Sequence, residues 1–200
     1  NWQCKNGSHI KKNEKIFCKC PLWHSENYKD VNNLVYRWSY NGHIFDCIHD
    51  TVYTIFLVDR SGSMESKSAI PSEPDIKNKL DNMLGCAVEA IINYCKKRNG
   101  INHNDICSLI GYDNSAIEIF KELNVGKWED IKKQCLSKLS PGGATKFVCA
   151  FEMAGNLIKN YRENGNNNYN PVIILLTDGL DHKSEETFDY LRNTVSKIIF

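Results

Sequence analysis

Charge of either sign is nearly absent from the balance of this 200-residue chain: 25 Lys and Arg stand against 24 Asp and Glu, leaving +1. Without a basic excess there is no electrostatic footprint for tracking phosphates, so nucleic acid is not a favoured partner. No apolar run approaches the roughly 20 residues that a membrane helix needs, and no span is expected. The opening Asn1-Trp2-Gln3-Cys4 lacks signal-peptide character, and neither internal repeats nor coiled-coil heptads occur. What remains is a globular composition, 42% hydrophobic and 24% charged, enough for one medium domain and a small appendage.

Nine cysteines make an odd number, which argues against a complete secreted disulfide framework. Cys86, Cys95, Cys107, Cys135 and Cys149 fall in segments that read as core helices or strands, where a thiol behaves as a small hydrophobe. An intracellular location, cytoplasmic or nuclear, is therefore expected. The other four, Cys4, Cys18, Cys20 and Cys47, crowd the first fifty residues and mark a separate module, so the chain is divided into residues 1–50 and 51–200.

From residue 51 onward apolar strands alternate with amphipathic helices, the pattern of an α/β fold with a doubly wound, mostly parallel sheet. Strand-like runs cover Val52 to Val58, Asp105 to Tyr112, Ala116 to Phe120 and Pro171 to Leu176. A single long helix is expected from the Ser72-Glu73-Pro74-Asp75 start to Asn99-Gly100, carried by Ile76, Leu80, Leu84, Val88, Ile91 and Cys95. Further helices are read around Trp128 to Leu139, from just after Thr145 to Tyr161, and through Phe188, Leu191 and Val195. Asn164 to Asn170 reads as a polar surface loop, and Ile198-Ile199-Phe200 as the start of another strand.

Three segments carry chemistry. Val58-Asp59-Arg60-Ser61-Gly62-Ser63 ends a buried strand in a carboxylate and two alternating hydroxyls, an oxygen set suited to Mg²⁺ or Ca²⁺, with Gly62 expected to let the backbone curl. Ser140-Pro141-Gly142-Gly143-Ala144-Thr145 is a hydroxyl-bearing loop before a helix, and Leu176-Thr177-Asp178-Gly179 ends a second apolar strand. In this order the three resemble the metal-ion-dependent adhesion site of the von Willebrand factor type A (vWA) domain, over roughly Thr51 to Phe200. The resemblance implies that Ser61, Ser63 and Thr145 touch a Mg²⁺ (or Ca²⁺ or Mn²⁺) ion, and that Asp59 and Asp178 bind it directly or through water. It implies a coordination position left open for an Asp or Glu of a partner protein, hence a binding module and not an enzyme. That family continues with a further strand and a closing helix, so a truncated C-terminal end is expected here. The connection Glu65 to Pro74 is longer than the family usually shows; it reads as a surface insertion or as a lid placing Glu65 or Glu73 on the open position.

Fifty residues are few for an independent core, which makes a metal staple attractive in the first module. Its candidate Zn²⁺ ligands are Cys4, His9, Cys18, Cys20, His24, His43 and Cys47, although Cys18-x-Cys20 lacks the usual two-residue gap. Trp2-x-Cys4, Asn13 and Cys18-x-Cys20-Pro21 faintly resemble the small zinc fingers of Ran-binding nucleoporins. The other reading is an all-strand extension, with a hairpin over Asn32 to Asp46 turning at Asn41-Gly42.

Enzyme chemistry finds less support. A phosphoryl-accepting Asp59 needs a second acid two residues on, where Ser61 stands. There is no G-x-S-x-G elbow, and His182 near Asp178 and Asp181 reads as a loop residue. An alternative makes this chain the substrate-recruiting portion of a larger enzyme, such as a zinc-containing ubiquitin ligase.

Overall fold

A computed structural model describes residues 3–4, 35–40, 43–48, 51–165 and 169–179. The chain divides into two units, Asn1–Asp50 and Thr51–Phe200. The first contains a three-stranded antiparallel sheet of β1 (Gln3–Cys4), β2 (Val35–Tyr40) and β3 (His43–Ile48), in the order β1-β3-β2. Tyr40 pairs with His43, so the hairpin expected from Asn41-Gly42 is formed. Cys4 pairs with Phe45, between His43 and Cys47 along β3. His9, Cys18, Cys20 and His24 lie outside the described residues.

The larger unit is a four-stranded sheet in the order β6-β5-β4-β7. Its strands are β4 (Thr51–Asp59), β5 (Ile106–Tyr112), β6 (Ala116–Asn124) and β7 (Tyr169–Leu176). β4 runs parallel to both β5 and β7, and only β6 is antiparallel. A parallel strand covered on both faces must be apolar throughout. β4 obeys: Tyr53, Ile55 and Leu57 pack with Ile110, Tyr112 and α4 (Phe147–Glu163), while Phe56 and Val58 join the opposite core. That opposite core is built on α2 (Met83–Ile101) and α3 (Trp128–Lys138), through Leu84, Val88, Ile91, Cys95, Ile131 and Cys135. Each such side chain contributes about 1.5–3 kcal/mol by leaving water.

The helix expected as one piece from Pro74 is two. α1 (Pro74–Lys77) stops after one turn, and α2 begins only at Met83. Asn82 caps the new start by accepting from Gly85 N at 3.1 Å. Gly85 makes the break possible: a Cβ there would lie 2.0 Å from the Leu80 carbonyl oxygen. Apolar periodicity runs across the break because both pieces face one core; periodicity reports a face, not continuity.

Other boundaries moved less. β6 extends to Asn124 beyond a register irregularity, where Glu122 takes φ +51° and donates its N–H to Ser108 Oγ at 2.8 Å. Tyr169 and Asn170, assigned to a loop from their neighbours, begin β7 because they pair with Thr51 and Val52. The expected helix through Phe188 and the strand at Ile198 lie outside the described residues, as does the question of a truncated end. No helix among the described residues is long and apolar enough to cross a membrane.

Candidate metal centre

β4 delivers Asp59 to the carboxyl end of the sheet, fully buried and register-paired with Tyr112 of β5. In a parallel sheet, neighbouring strands that send their chains to opposite faces open a crevice at this end. The turn after β4 folds back on its own carboxylate: Ser61 N donates to Asp59 Oδ1 at 2.8 Å. Ser61 Oγ and Ser63 Oγ stand 3.0 Å apart, and Ser63 Oγ donates to Asp178 Oδ1 at 2.9 Å. From the end of β7, Thr177 Oγ1 donates to Asp59 Oδ2 at 2.8 Å. Residues separated by more than a hundred positions thus form one chain of hard oxygen donors, Thr177–Asp59–Ser61–Ser63–Asp178.

The third expected segment is tied to this turn through the backbone. Gly62 N donates to the Gly143 carbonyl at 3.0 Å, and Gly142 N donates to the Arg60 carbonyl at 2.7 Å. Gly143 takes φ +80°, and a Cβ would approach Asp113 Cβ to 3.0 Å, so any other residue would be strained in backbone and crowded against Asp113. Asp113 is itself bound to the Arg60 guanidinium at 2.6 Å. Arg60 therefore clamps three pieces together: its own turn, the β5–β6 connection and the loop carrying Thr145. Thr145 is half-buried, two residues beyond Gly143 and two before α4. Gly62 does not act as expected. Its φ is not positive, and a Cβ would make ordinary contact with the Gly143 oxygen at 3.7 Å. The turn instead curls as a 3-10 segment, Gly62–Glu65.

Electrostatically, Asp59 is a buried carboxylate with two hydrogen bonds, and among the described residues no cationic side chain pairs with it. Its neighbour Arg60 is committed to Asp113. Buried charges are normally paired or coordinate a metal, because an uncompensated one costs several kcal/mol. Two carboxylates with surrounding hydroxyls suit Mg²⁺, Ca²⁺ or Mn²⁺, and the residues present fit such an ion. Among the described residues no three His, Cys, Asp or Glu side chains surround a common point, so an ion held here would need the hydroxyls as further donors. The charge is felt nearby. Burial, then Asp59, and more weakly Asp178, hold the Tyr112 hydroxyl well above the ordinary tyrosine range.

The 65–74 connection starts at the turn carrying Ser63, with Ser66 N donating to the Ser63 carbonyl at 3.0 Å, and is anchored at its far end to α2 and α3. Glu73 binds Lys132 at 2.8 Å, which removes it from the open-position role considered for it. Ser72 N and Oγ and Glu73 N all donate to the Glu89 carboxylate, which holds that carboxyl below its usual range. Glu65 is exposed at the end of the 3-10 turn. One residue of this oxygen cluster went unread in the sequence: Thr177, whose signal was its place beside Asp178 at a strand end. Of the core cysteines, Cys95, Cys107 and Cys135 are buried and Cys86 and Cys149 half-buried, all five as free thiols.

The sequence profile of the von Willebrand factor type A domain matches residues 54–180. Among solved structures, the chain is similar to the VWA domain of SpRpn10, with 16% identity and a TM-score of 0.53, over 74% of this chain and 71% of that one. It is also similar to the PilB minor pilin from Streptococcus sanguinis, with 18% identity and a TM-score of 0.52, over 68% of this chain. The match spans only 33% of the pilin, and at these identities both likenesses speak to the fold. No curated protein sequence matches significantly.

Proposed function

We propose that this chain, which belongs to the von Willebrand factor type A domain family, captures a carboxylate of a partner protein through a divalent cation held at the carboxyl end of β4 and β7. The family serves generally for protein interaction; the cation and the partner's carboxylate are our reading. The observation that carries it is the fully buried Asp59, flanked by hydroxyls and lacking a cationic partner among the described residues.

Asp59, Ser61, Ser63, Thr145 and Asp178 are the residues that would hold the ion, with Thr177 fixing the orientation of the Asp59 carboxylate. A bound Mg²⁺, Ca²⁺ or Mn²⁺ would supply an electrophilic centre able to accept a further carboxylate oxygen. The chain's own contribution is orientation and charge balance. Only Asp59 and Asp178 bring formal charge to this donor set, and Ser61, Ser63 and Thr145 bring none, so positive charge is left to attract an anionic side chain. The Glu73–Lys132 ion pair keeps that acidic residue of the chain from competing for the place.

The test uses arrays of peptides carrying Asp or Glu, beside counterparts with Asn or Gln, probed with the full chain in Mg²⁺ and in chelator. Binding should require both the cation and the acid. Acid-dependent binding that persists in chelator would refute the metal bridge.

A further inference from the structure

Tyr112 is fully buried, yet its hydroxyl has no hydrogen-bond partner among the described residues. The Thr177 hydroxyl is close enough to influence it but makes no hydrogen bond to it, and Thr177 Oγ1 donates its own proton to Asp59 Oδ2 at 2.8 Å. A buried hydroxyl left unpaired is destabilising, and native proteins rarely keep one without a use. Its ring is held firmly. The register pairs Tyr112 with Asp59, and Phe147 at the start of α4 meets it edge-on with centroids 5.8 Å apart.

A second tyrosine on the same sheet face gives the contrast. Tyr53 is equally buried, and its hydroxyl is satisfied by Ser108 Oγ at 2.8 Å. Of these two tyrosines, only the one at the end of the sheet where Asp59, Thr177 and Asp178 gather lacks a partner among the described residues. Phenylalanine would fill the same ring space without the penalty.

We propose that Tyr112 is a positioning residue of the cation site, its hydroxyl supplying a hydrogen bond to the hydrated ion's surroundings that it lacks when the site is metal-free. Tyr112 is register-paired with Asp59, whose charge reaches its hydroxyl, and there an outer-shell donor would orient the ligands and the water that a divalent ion such as Mg²⁺ retains. This rests on the cation reading above and adds to it that the β5 strand end takes part in affinity. It also implies a trade: the hydroxyl costs stability in the metal-free protein and returns it on binding.

The experiment compares Tyr112→Phe, Tyr53→Phe and wild type as full chains, by Mn²⁺ and Mg²⁺ calorimetric titration and by thermal melting in chelator. Tyr112→Phe should weaken cation binding roughly threefold to tenfold, the loss of one neutral hydrogen bond, while raising the metal-free Tm by about 2–4 °C. Tyr53→Phe should do the reverse, lowering the metal-free Tm and leaving affinity unchanged. A purely structural tyrosine, or one served by a permanent water, would make Tyr112→Phe melt lower with unaltered affinity. Unaltered affinity in Tyr112→Phe, or a metal-free Tm below wild type, overturns the proposal. If wild type itself binds neither ion, it is the cation reading that has failed.

Discussion

Replacing Asp59 with Asn separates the metal reading from a merely structural one, because the two expectations differ in sign. In the metal-free chain Asn keeps the shape, and its oxygen can still accept from Ser61 N. What changes is charge. The bond from Ser61 N becomes a neutral one, and the bond from Thr177 Oγ1 reverses, the Asn Nδ2–H donating to Thr177 Oγ1 as that hydroxyl turns to the Gly179 carbonyl, a loss of about 1 kcal/mol each. Against this, a fully buried carboxylate without a cationic partner among the described residues is removed, and its burial costs several kcal/mol even after relaxation. Relief of that burial cost outweighs the weakened hydrogen bonds, so Asp59→Asn should melt at or above the wild-type temperature in chelator. With Mg²⁺ at about 100 times its dissociation constant, wild type should gain about 2.7 kcal/mol. For a chain of this size that is a rise of about 5–10 °C in the transition of the larger unit. Asp59→Asn should show no Mg²⁺-dependent rise. Differential scanning calorimetry in Mg²⁺ and in chelator measures both quantities. A Mg²⁺-dependent shift that survives in Asp59→Asn removes Asp59 from the site, and a variant melting well below wild type in chelator refutes the electrostatic argument.

Two further expectations concern the scaffold. Gly85→Ala places a Cβ 2.0 Å from the Leu80 carbonyl, a clash with backbone that cannot rotate away, and should cost about 3 kcal/mol in denaturant unfolding; a loss below about 1 kcal/mol would mean that the α1–α2 break is not obligatory. Glu89 has its carboxyl pKa lowered, chiefly by Ser72, from an ordinary 4.5. A depressed pKa makes the contribution complete above about 4.5 and lost as pH falls through the folded-state value, so amide exchange at Ser72 and Glu73 should accelerate in that acid window. In Glu89→Gln the same amides should exchange fast at every pH, and a pH-independent wild type would contradict the assignment.

The strands and the helices they alternate with were legible because a parallel sheet buried on both faces forces long apolar runs, and β4 and β5 are such runs, while the half-buried β7 carries the same apolar pattern from Val172 to Leu176. The helix break at Asn82 was not legible. Gly85 is an ordinary letter until Leu80 folds back against it. The same limit applies to the site: Asp59-x-Ser61-x-Ser63 announces oxygen chemistry locally, whereas nothing local to Thr177 shows that its hydroxyl reaches Asp59, or to Glu73 that Lys132 holds it.

Sequence alone therefore determined the fold class, the strand ends that bear carboxylates and hydroxyls, and the family whose motif they resemble, since each is written in contiguous residues. Tertiary structure alone decided which of those oxygens meet. It sets Asp59 fully buried without a cationic partner among the described residues and ties the Thr145 loop to the turn through Gly142 and Gly143. It also leaves the hydroxyl of Tyr112, the register partner of Asp59, unpaired among the described residues. The physical reason is that burial and hydrogen-bond partnership belong to pairs of residues far apart in the chain, and only strand register and backbone closure bring such pairs within about 3 Å.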